Sequence, residues 1–431
     1  MHPPAVEVLD QLGLLEPLVR AGGVMVDGFA VVLADGKPVV TLPYDEMGQG
    51  AGKGFSMEHP SMVACFRREV ASDPGVQIRT GVRVAELIRE GDAVAGVRTD
   101  EGEEIRAALT VVADGRHSKL RKALEFPERT RLLSYTAAVL VDEATLPRPG
   151  HGHVFHGAHG PILAYPIDGG RVRMCIDIPV DTVKGKEAVD AFIRDECAPH
   201  VPEPLRGALL RALSVHETEM CATHSISTRR CTAPGVVLVG DSTGCAHPIT
   251  AAGMMVALND IRTLADELGR GDLQGALTRY QSRRYEFVRA REILTEGLYD
   301  VFRGGDSGAR AMRNGLFRYW TSGPRARAAS MKLLSGRESR LRAFIGEYFS
   351  VVSESALSVL GGADEARADA PSRTTAARGL ARTAVDQLVR TAELVYNDVR
   401  RRTPPNPRLI DKLASGRGRA GKRDDRPTAA A

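Results

Sequence analysis

Between residues 5 and 21 the apolar side chains Val8, Leu9, Leu12, Leu15, Leu18 and Val19 recur at helical spacing, bounded by Pro4 before and Gly22-Gly23 after. That period places them on one stripe and predicts a single helix over 5–21. Two β-branched runs between residues 29 and 42 flank Ala34-Asp35-Gly36-Lys37 and predict a hairpin, after which residues 60–71 return to helical spacing. A strand is expected over 77–88, leading through Gly91-Asp92 into a second over 93–98; a short apolar run over 107–113 then stops at Asp114-Gly115. This alternation of strands and helices predicts an α/β layer.

Residues 134–180 change character. They are rich in Val, Ile and Tyr and broken by Gly and Pro, and the runs 161–167 and 171–178 are separated by Asp168-Gly169-Gly170. A β-sheet is expected there, as the floor of a substrate domain. Residues 236–239 read as a buried strand, 253–268 as a strong helix, and helical spacing continues to about residue 360. The expected organisation is therefore an α/β domain in two parts, 1–133 and 229–270. A β-rich domain is inserted at 134–228, and a helical region follows over 271–360. Beyond it we expect a linker at 361–375, a basic amphipathic helix at 376–402, and a disordered tail at 403–431 after the Pro404-Pro405-Asn406-Pro407 break.

Composition narrows the possibilities only modestly. In 431 residues, 43% are hydrophobic and 26% charged, an ordinary globular balance. A formal net charge of +4 is too small to point to nucleic acid as a partner. Six cysteines without a CxxC pair suit a reducing compartment. Residues 341–360 are apolar but interrupted by Arg, Glu and Ser, so a spanning helix is not expected, and the basic helix at 376–402 reads either as a solvated surface helix or as an interfacial anchor at a membrane surface. Met1 is followed by His-Pro-Pro, which does not read as an export signal. His151, His153, His156 and His159 cluster in sequence, but their spacing suits no closed metal site, and none is expected.

Two stretches carry the chemistry. The first, Leu109 to Arg121, is a strand that stops at Asp114-Gly115 and opens a helix; glycine there permits a tight turn and close backbone approach to a ligand. In the second, Gly235 to Asp260, a strand ends at Gly240-Asp241 and a loop containing His247-Pro248 feeds a helix at Gly253-Met254. A carboxylate at a strand end can accept hydrogen bonds from ribitol hydroxyls, and the free N–H groups of the next helix can face an electron-rich ring edge. Either stretch alone could be an ordinary βα connection.

Together they resemble the downstream FAD signatures of the aromatic-hydroxylase type of flavoprotein monooxygenase, and the wording is most similar to squalene epoxidases. His247-Pro-Ile-Thr-Ala-Ala-Gly253-Met254-Met-Val-Ala-Leu-Asn259-Asp260 resembles that family's HPLTGGGMTVALND, and residues 109–121 resemble its LTVVADGxxSKxRK. Residues 2–14, 160–167 and 171–177 are similar to further family segments. The resemblance implies an FAD-binding Rossmann-like domain with an inserted β-sheet substrate domain and C-terminal helices. It also implies epoxidation of squalene or a similar polyprenoid alkene by O2, with electrons from a separate flavin- or ferredoxin-type reductase. Asp114, Gly115, Gly240, Asp241, Pro248, Gly253 and Met254 would form the cofactor site, His2 and Tyr165 would face the substrate, and Tyr165 could donate a hydrogen bond near the reacting centre.

Departures from the family pattern accompany the matches. The chain starts after the family's first strand and GxGxxG turn, so the Rossmann-like domain reads as truncated at its N-terminus. Ser61 and Ala246 stand where arginines are usual, Ala251-Ala252 replace two glycines, and His2 replaces a pocket glutamine. Two alternatives stay open at this point: an FAD- and NAD(P)H-dependent hydroxylase of an aromatic or polyketide substrate, and a noncatalytic remnant. An intracellular location, cytoplasmic or peripheral to a membrane, is expected.

Overall fold

The chain enters as two helices, α1 (Pro3–Gln11) and α2 (Leu15–Arg20), where the apolar period predicts one. Gly13 causes the break. It takes a left-handed φ of +70°, its N–H bonds to the Asp10 carbonyl (2.9 Å), and the next N–H, of Leu14, reaches back to the Leu9 carbonyl (2.8 Å). This is the Schellman closure of a helix end, which glycine adopts without a Cβ penalty. Apolar periodicity survives the break because Leu9, Leu14 and Leu18 still pack together against Phe55.

The structure is a computed structural model that describes residues 1–32, 38–168, 170–361 and 372–402. The turn expected at 34–37, residues 362–371 of the expected linker and the tail at 403–431 lie outside the described residues. Strands β1 (Val24–Val26), β2 (Gly28–Val32), β3 (Pro38–Pro43) and β4 (Gly54–Ser56) precede helix α3 (His59–Ala71), and β2 and β3 pair antiparallel as the hairpin reading requires. Strands β5 (Val84–Glu90), β6 (Ala93–Thr99) and β7 (Glu104–Arg106) form an antiparallel sheet of their own. A two-residue turn at Gly91-Asp92 can join only antiparallel neighbours, so these strands do not enter the expected α/β layer. Residues 77–83, expected as strand, carry no regular structure: pairing begins at Val84↔Thr99, where β6 ends, and upstream residues have no ladder to join.

After β8 (Thr110–Val112) and α4 (Lys119–Ala123) the chain builds its largest sheet. Its main strands are β9 (Glu128–Val141), β10 (His151–His156), β11 (Pro161–Pro166) and β12 (Val172–Pro179), followed by α5 (Lys186–Phe192) and α6 (Leu205–Val215), then β13 (Glu219–Thr228), β14 (Thr232–Ala233), β15 (Val236–Leu238) and β16 (Gly244–Cys245). Eight strands lie in the order β16-β13-β9-β12-β11-β10-β2-β3, all antiparallel except β10 beside β2. The sheet thus draws β2 and β3 from well before residue 134.

Strict alternation along these strands separates two faces. On one, Val172, Met174, Ile176 and Ile178 of β12 join Ala137 and Val139 of β9 and pack beneath Phe192, Leu205 and Leu209 of α5 and α6. On the other, Arg173 and Cys175 of β12 and Thr136 and Ala138 of β9 are only half-buried. This second face points toward the candidate site.

The described residues beyond β16 are mainly helical: α7 (Gly253–Leu268), α8 (Leu273–Arg303), α9 (Ser307–Thr321), α10 (Pro324–Ser335), α11 (Leu341–Leu360) and α12 (Arg373–Arg402). Residues Met1–Thr383 form one unit and Ala384–Ala431 another. Helix α11 is long and apolar enough to cross a membrane by length and composition, with 22% of its apolar window buried. Its two glutamates are engaged with α9, since the Tyr319 hydroxyl donates to Glu347 (2.6 Å) and Arg318 pairs with Glu354 (3.2 Å). The two helices touch at Gly315, where an added Cβ would stand 2.5 Å from the Ser355 backbone nitrogen. Gly315→Ala would gain about 1 kcal/mol of helix propensity, but the clash is with backbone and overpacking of this kind costs roughly 1–3 kcal/mol. The expected outcome is a lower unfolding midpoint in a urea titration; a raised midpoint would mean that the helices separate easily at this point.

Candidate active site

The site is assembled where two strands run parallel. Strand β8 pairs with β15 in the register Thr110↔Val236, Val111↔Val237 and Val112↔Leu238, so Asp114 and Gly240-Asp241 leave the same end of the pair side by side. The loops are then stitched together. The Val239 N–H donates to the Val112 carbonyl (3.0 Å), and the Ser242 hydroxyl lies 2.8 Å from that same oxygen. Arg121 of α4 is 1% exposed; it donates to the Ser242 carbonyl (2.9 Å) and the Arg116 carbonyl (2.9 Å) and pairs with Glu128 (2.7 Å). Ser118 caps α4 by accepting the Arg121 N–H. Beneath Gly240, Asp260 of α7 accepts the Gly240 N–H (3.0 Å) and pairs with Arg284 of α8 (3.1 Å). Burial pushes the Asp260 carboxyl up from its ordinary range, and Arg284 pulls it back.

Buried anchors and solvent-facing groups are cleanly divided. Ser118, Arg121, Ser242, Thr243 and Asp260 are buried, whereas Asp114, Asp241, Pro248, Gly253 and Met254 face solvent. Gly115 turns the chain between β8 and α4, and its carbonyl accepts the Ser118 N–H. A Cβ placed on Gly253, the first residue of α7, would lie 3.9 Å from Asp241 Oδ1, which locates the carboxylate at the helix N-terminus. No side chain caps that terminus. Its first N–H groups are free for a ligand, the positive end of a helix beside an acceptor. Asp241 is exposed yet sits in a crowded concavity; the resulting desolvation raises its pKa, and the Arg116 guanidinium partly offsets this.

Next to this cleft the 3₁₀ turn Pro248–Thr250 forms one wall of a small apolar cavity. About 40 Å³ of space, partly open, is lined by Phe29, Val31, Val154, Ile249, Phe302 and Trp320, with His2, Leu42, Thr250, Leu298 and Leu334 completing the lining. His2 is the polar ring in this lining, and both its nitrogens are spoken for. Its Nε2–H donates to the Thr250 carbonyl (2.7 Å) and its Nδ1 accepts from the Tyr44 hydroxyl (2.9 Å). Burial pulls the His2 pKa down to about 3, so the ring is neutral and the cavity carries no charge.

The structure places His2 in the lining of the cavity and brings Asp114 and Asp241 to the same end of the strand pair. Tyr165 does not line the cavity. It lies on the half-buried face of the sheet, its hydroxyl 3.9 Å from Cys175 Sγ, with burial raising its pKa. The sequence reading assigned no role to Arg121, Ser242 or Asp177; Arg121, Ser242 and Asp260 stand inside the two quoted stretches, and that position was the one available signal. No group of His, Cys, Asp and Glu able to hold a metal occurs among the described residues.

The fold is that of the FAD-dependent monooxygenases. p-Nitrophenol 4-monooxygenase from Pseudomonas putida superposes with a TM-score of 0.67 at 18% identity, covering 78% of this chain and 89% of that one. HpxO from Klebsiella pneumoniae, complexed with FAD and uric acid, gives 0.64 at 20% identity over 82% and 87%. Within that class the chain belongs to the squalene epoxidase family, whose sequence model matches residues 106–365. It is 25% identical to the squalene epoxidase of Schizosaccharomyces pombe over 81% of this chain and 80% of the relative, and 29% identical to squalene epoxidase 3 of Arabidopsis thaliana over 81% and 69%. Asp241 at the uncapped end of α7, facing an open cleft, fits an FAD cofactor.

One titrating group beside the site has a measurable consequence. Glu292 of α8 accepts from the Ser227 hydroxyl of β13, and desolvation, reinforced by Glu296, lifts its pKa to about 7. The folded protein holds that proton up to about pH 7, while the unfolded chain releases it near 4.5. Stability therefore falls as pH rises through that interval. Glu292→Gln should flatten this part of the curve of urea midpoint against pH; an unchanged slope would refute the assignment.

Proposed function

We propose that this chain is an FAD-dependent monooxygenase that epoxidises squalene or a similar polyprenoid alkene with O2, taking electrons from a separate reductase. The observation that carries the reading is a shared turn. Residues Pro248–Thr250 wall the uncharged cavity on one side and lead into the N-terminus of α7 beside Asp241 on the other. An alkene held in the cavity is thereby kept next to the cofactor cleft.

Bound FAD supplies the reducing electrons and the activation of O2. One oxygen atom adds across the alkene π bond, the other leaves as water, and two electrons and two protons balance the reaction. The chain's own residues bind and exclude water. The Asp241 carboxylate, with Asp114 beside it, would accept hydroxyl hydrogen bonds from the cofactor, Gly115, Gly240 and Pro248 would shape its approach, and the free N–H groups at Gly253 and Met254 would offer it donors. His2, closed on Thr250 and Tyr44, offers the cavity no donor. Tyr165 and Cys175 lie on the more open part of the floor.

A cavity of about 40 Å³ admits only a few water-sized groups. A polyprenoid must push back the helical wall that carries Trp320 on α9 and Leu334 on α10. Exposed Phe349, Leu357 and Leu360 on α11, together with the basic composition of α12, support delivery of so apolar a substrate from a membrane surface. Six free thiols support a reducing compartment.

Trp320 is the single tryptophan and lines the cavity, so its fluorescence reports occupancy. Squalene should change that emission and, with FAD, a reductase and O2, should yield an epoxide; flavin bleaching by NADPH without a reductase would instead support the hydroxylase reading. Asp241→Asn should weaken FAD binding by roughly tenfold or more, the loss of a charge-assisted hydrogen bond, in a flavin-fluorescence titration. Unaltered affinity would remove Asp241 from the site.

A further inference from the structure

The wall between cavity and cofactor cleft rests on a carboxylate that belongs to neither signature. Asp177 of β12 is 5% exposed and lies on the site-facing side of the large sheet. It accepts from the Ser134 hydroxyl of β9, from the Tyr299 hydroxyl of α8 (3.1 Å) and from His247 Nε2 (3.0 Å). Ser134, Tyr299 and His247 are 0%, 1% and 4% exposed, so the cluster is sealed from solvent. The His247 ring is stacked on the Tyr299 ring at a centroid distance of 3.9 Å and an interplanar angle of 23°.

The other imidazole nitrogen determines what this cluster does. His247 Nδ1 accepts the N–H of Ile249 (3.1 Å) and so caps the turn Pro248–Thr250. A ring that accepts at Nδ1 must carry its proton on Nε2, and Asp177 is the acceptor that rewards that tautomer. Were the proton on Nδ1, it would confront the Ile249 N–H, donor against donor, and the turn would lose its cap. Ile249 and Thr250, the two residues of that turn that line the cavity, lead through Ala251 and Ala252 directly into α7.

We propose that Asp177 is a positioning residue: by fixing the Nε2–H tautomer of His247 it sets the Pro248–Thr250 turn, and with it the separation between the substrate cavity and the cofactor cleft. The inference rests on the monooxygenase reading of the site. It ties the sheet floor, through one side chain, to the loop that carries the ligand-facing helix. The feature required of Asp177 is an acceptor aimed at Nε2 rather than negative charge as such. Asparagine can supply that acceptor with its Oδ1 toward Ser134 and His247, while its amide faces Tyr299, whose hydroxyl can turn to the Leu133 carbonyl (3.4 Å). Leucine, of similar shape, supplies none.

The test compares Asp177→Leu with Asp177→Asn in the full chain loaded with FAD. Nitrogen-15 spectra of histidine-labelled protein, with His247 assigned from His247→Gln, read the tautomer directly. Product analysis reads the fraction of consumed O2 that appears as epoxide rather than hydrogen peroxide. Wild type and Asp177→Asn are expected to carry the proton on Nε2 and to remain coupled. Asp177→Leu is expected to populate the Nδ1–H form and lose about tenfold in coupling and kcat, with KM for the alkene and FAD affinity changed less than about threefold. A merely structural role would instead lower FAD affinity and stability without altering the coupling of the enzyme that remains loaded. Wild-type protein with its proton on Nδ1, or folded Asp177→Leu with unchanged coupling, overturns the proposal. Should Asp177→Leu fail to fold, Asp177→Asn decides: retained coupling supports it and a tenfold loss refutes it. Absence of any epoxide from the wild type would count against the proposed function, and the wild-type tautomer would still judge the positioning role.

Discussion

The candidate site depends first on the parallel alignment of two three-residue strands. Because Val112 lies opposite Leu238, the acids that follow each strand emerge together, and the Val112 carbonyl gathers both the Val239 N–H and the Ser242 hydroxyl at the point of emergence. A buried arginine reinforces the join. Arg121 makes hydrogen bonds that are individually worth about 1.5–3 kcal/mol, yet dehydrating a guanidinium costs several kcal/mol. Its net effect lies less in stability than in specifying one arrangement of two loops. Asp260 and Arg284 do the same work from below.

The large sheet supplies the second constraint. Its period of two sorts Val172, Met174, Ile176 and Ile178 under α5 and α6 and leaves Arg173, Cys175 and Asp177 on the face toward the site. Part of that face is closed by α8, α9 and α10 over the uncharged cavity, and part is left half-open around Tyr165. Asp177 stands between the two parts, as a buried acid must, with every partner a donor. The two buried imidazoles beside the Pro248–Thr250 turn are each closed on partners: His2 on Thr250 and Tyr44, and His247 on Asp177 and the Ile249 amide.

Legibility in the sequence followed distance along the chain. Helix α7 occupies the expected 253–268, and the paired acids Asp114 and Asp241 were readable because each belongs to a contiguous run of strand, turn and helix. The division of the first helix at Gly13 was missed because apolar spacing continues across it, although the glycine was visible. Strands β5 and β6 were assigned to the wrong layer, and β7 was not foreseen, because a hydrophobic pattern says how each strand pairs locally and nothing about which sheet receives it. The charged residues of α11 argued against a spanning helix; in the structure Glu347 and Glu354 pair with α9.

From the sequence alone came most of the element types, the two strand-to-helix turns of the candidate site and the resemblance to the family, all of which are carried by contiguous runs of chain. Tertiary structure alone brought Asp177 to His247 across 70 residues and Arg121 to Ser242 across 121, and formed a cavity between His2 and Trp320. Local pattern encodes which face of an element is apolar. Which faces meet is settled only when the whole chain has to bury those faces at once and satisfy every buried donor and acceptor.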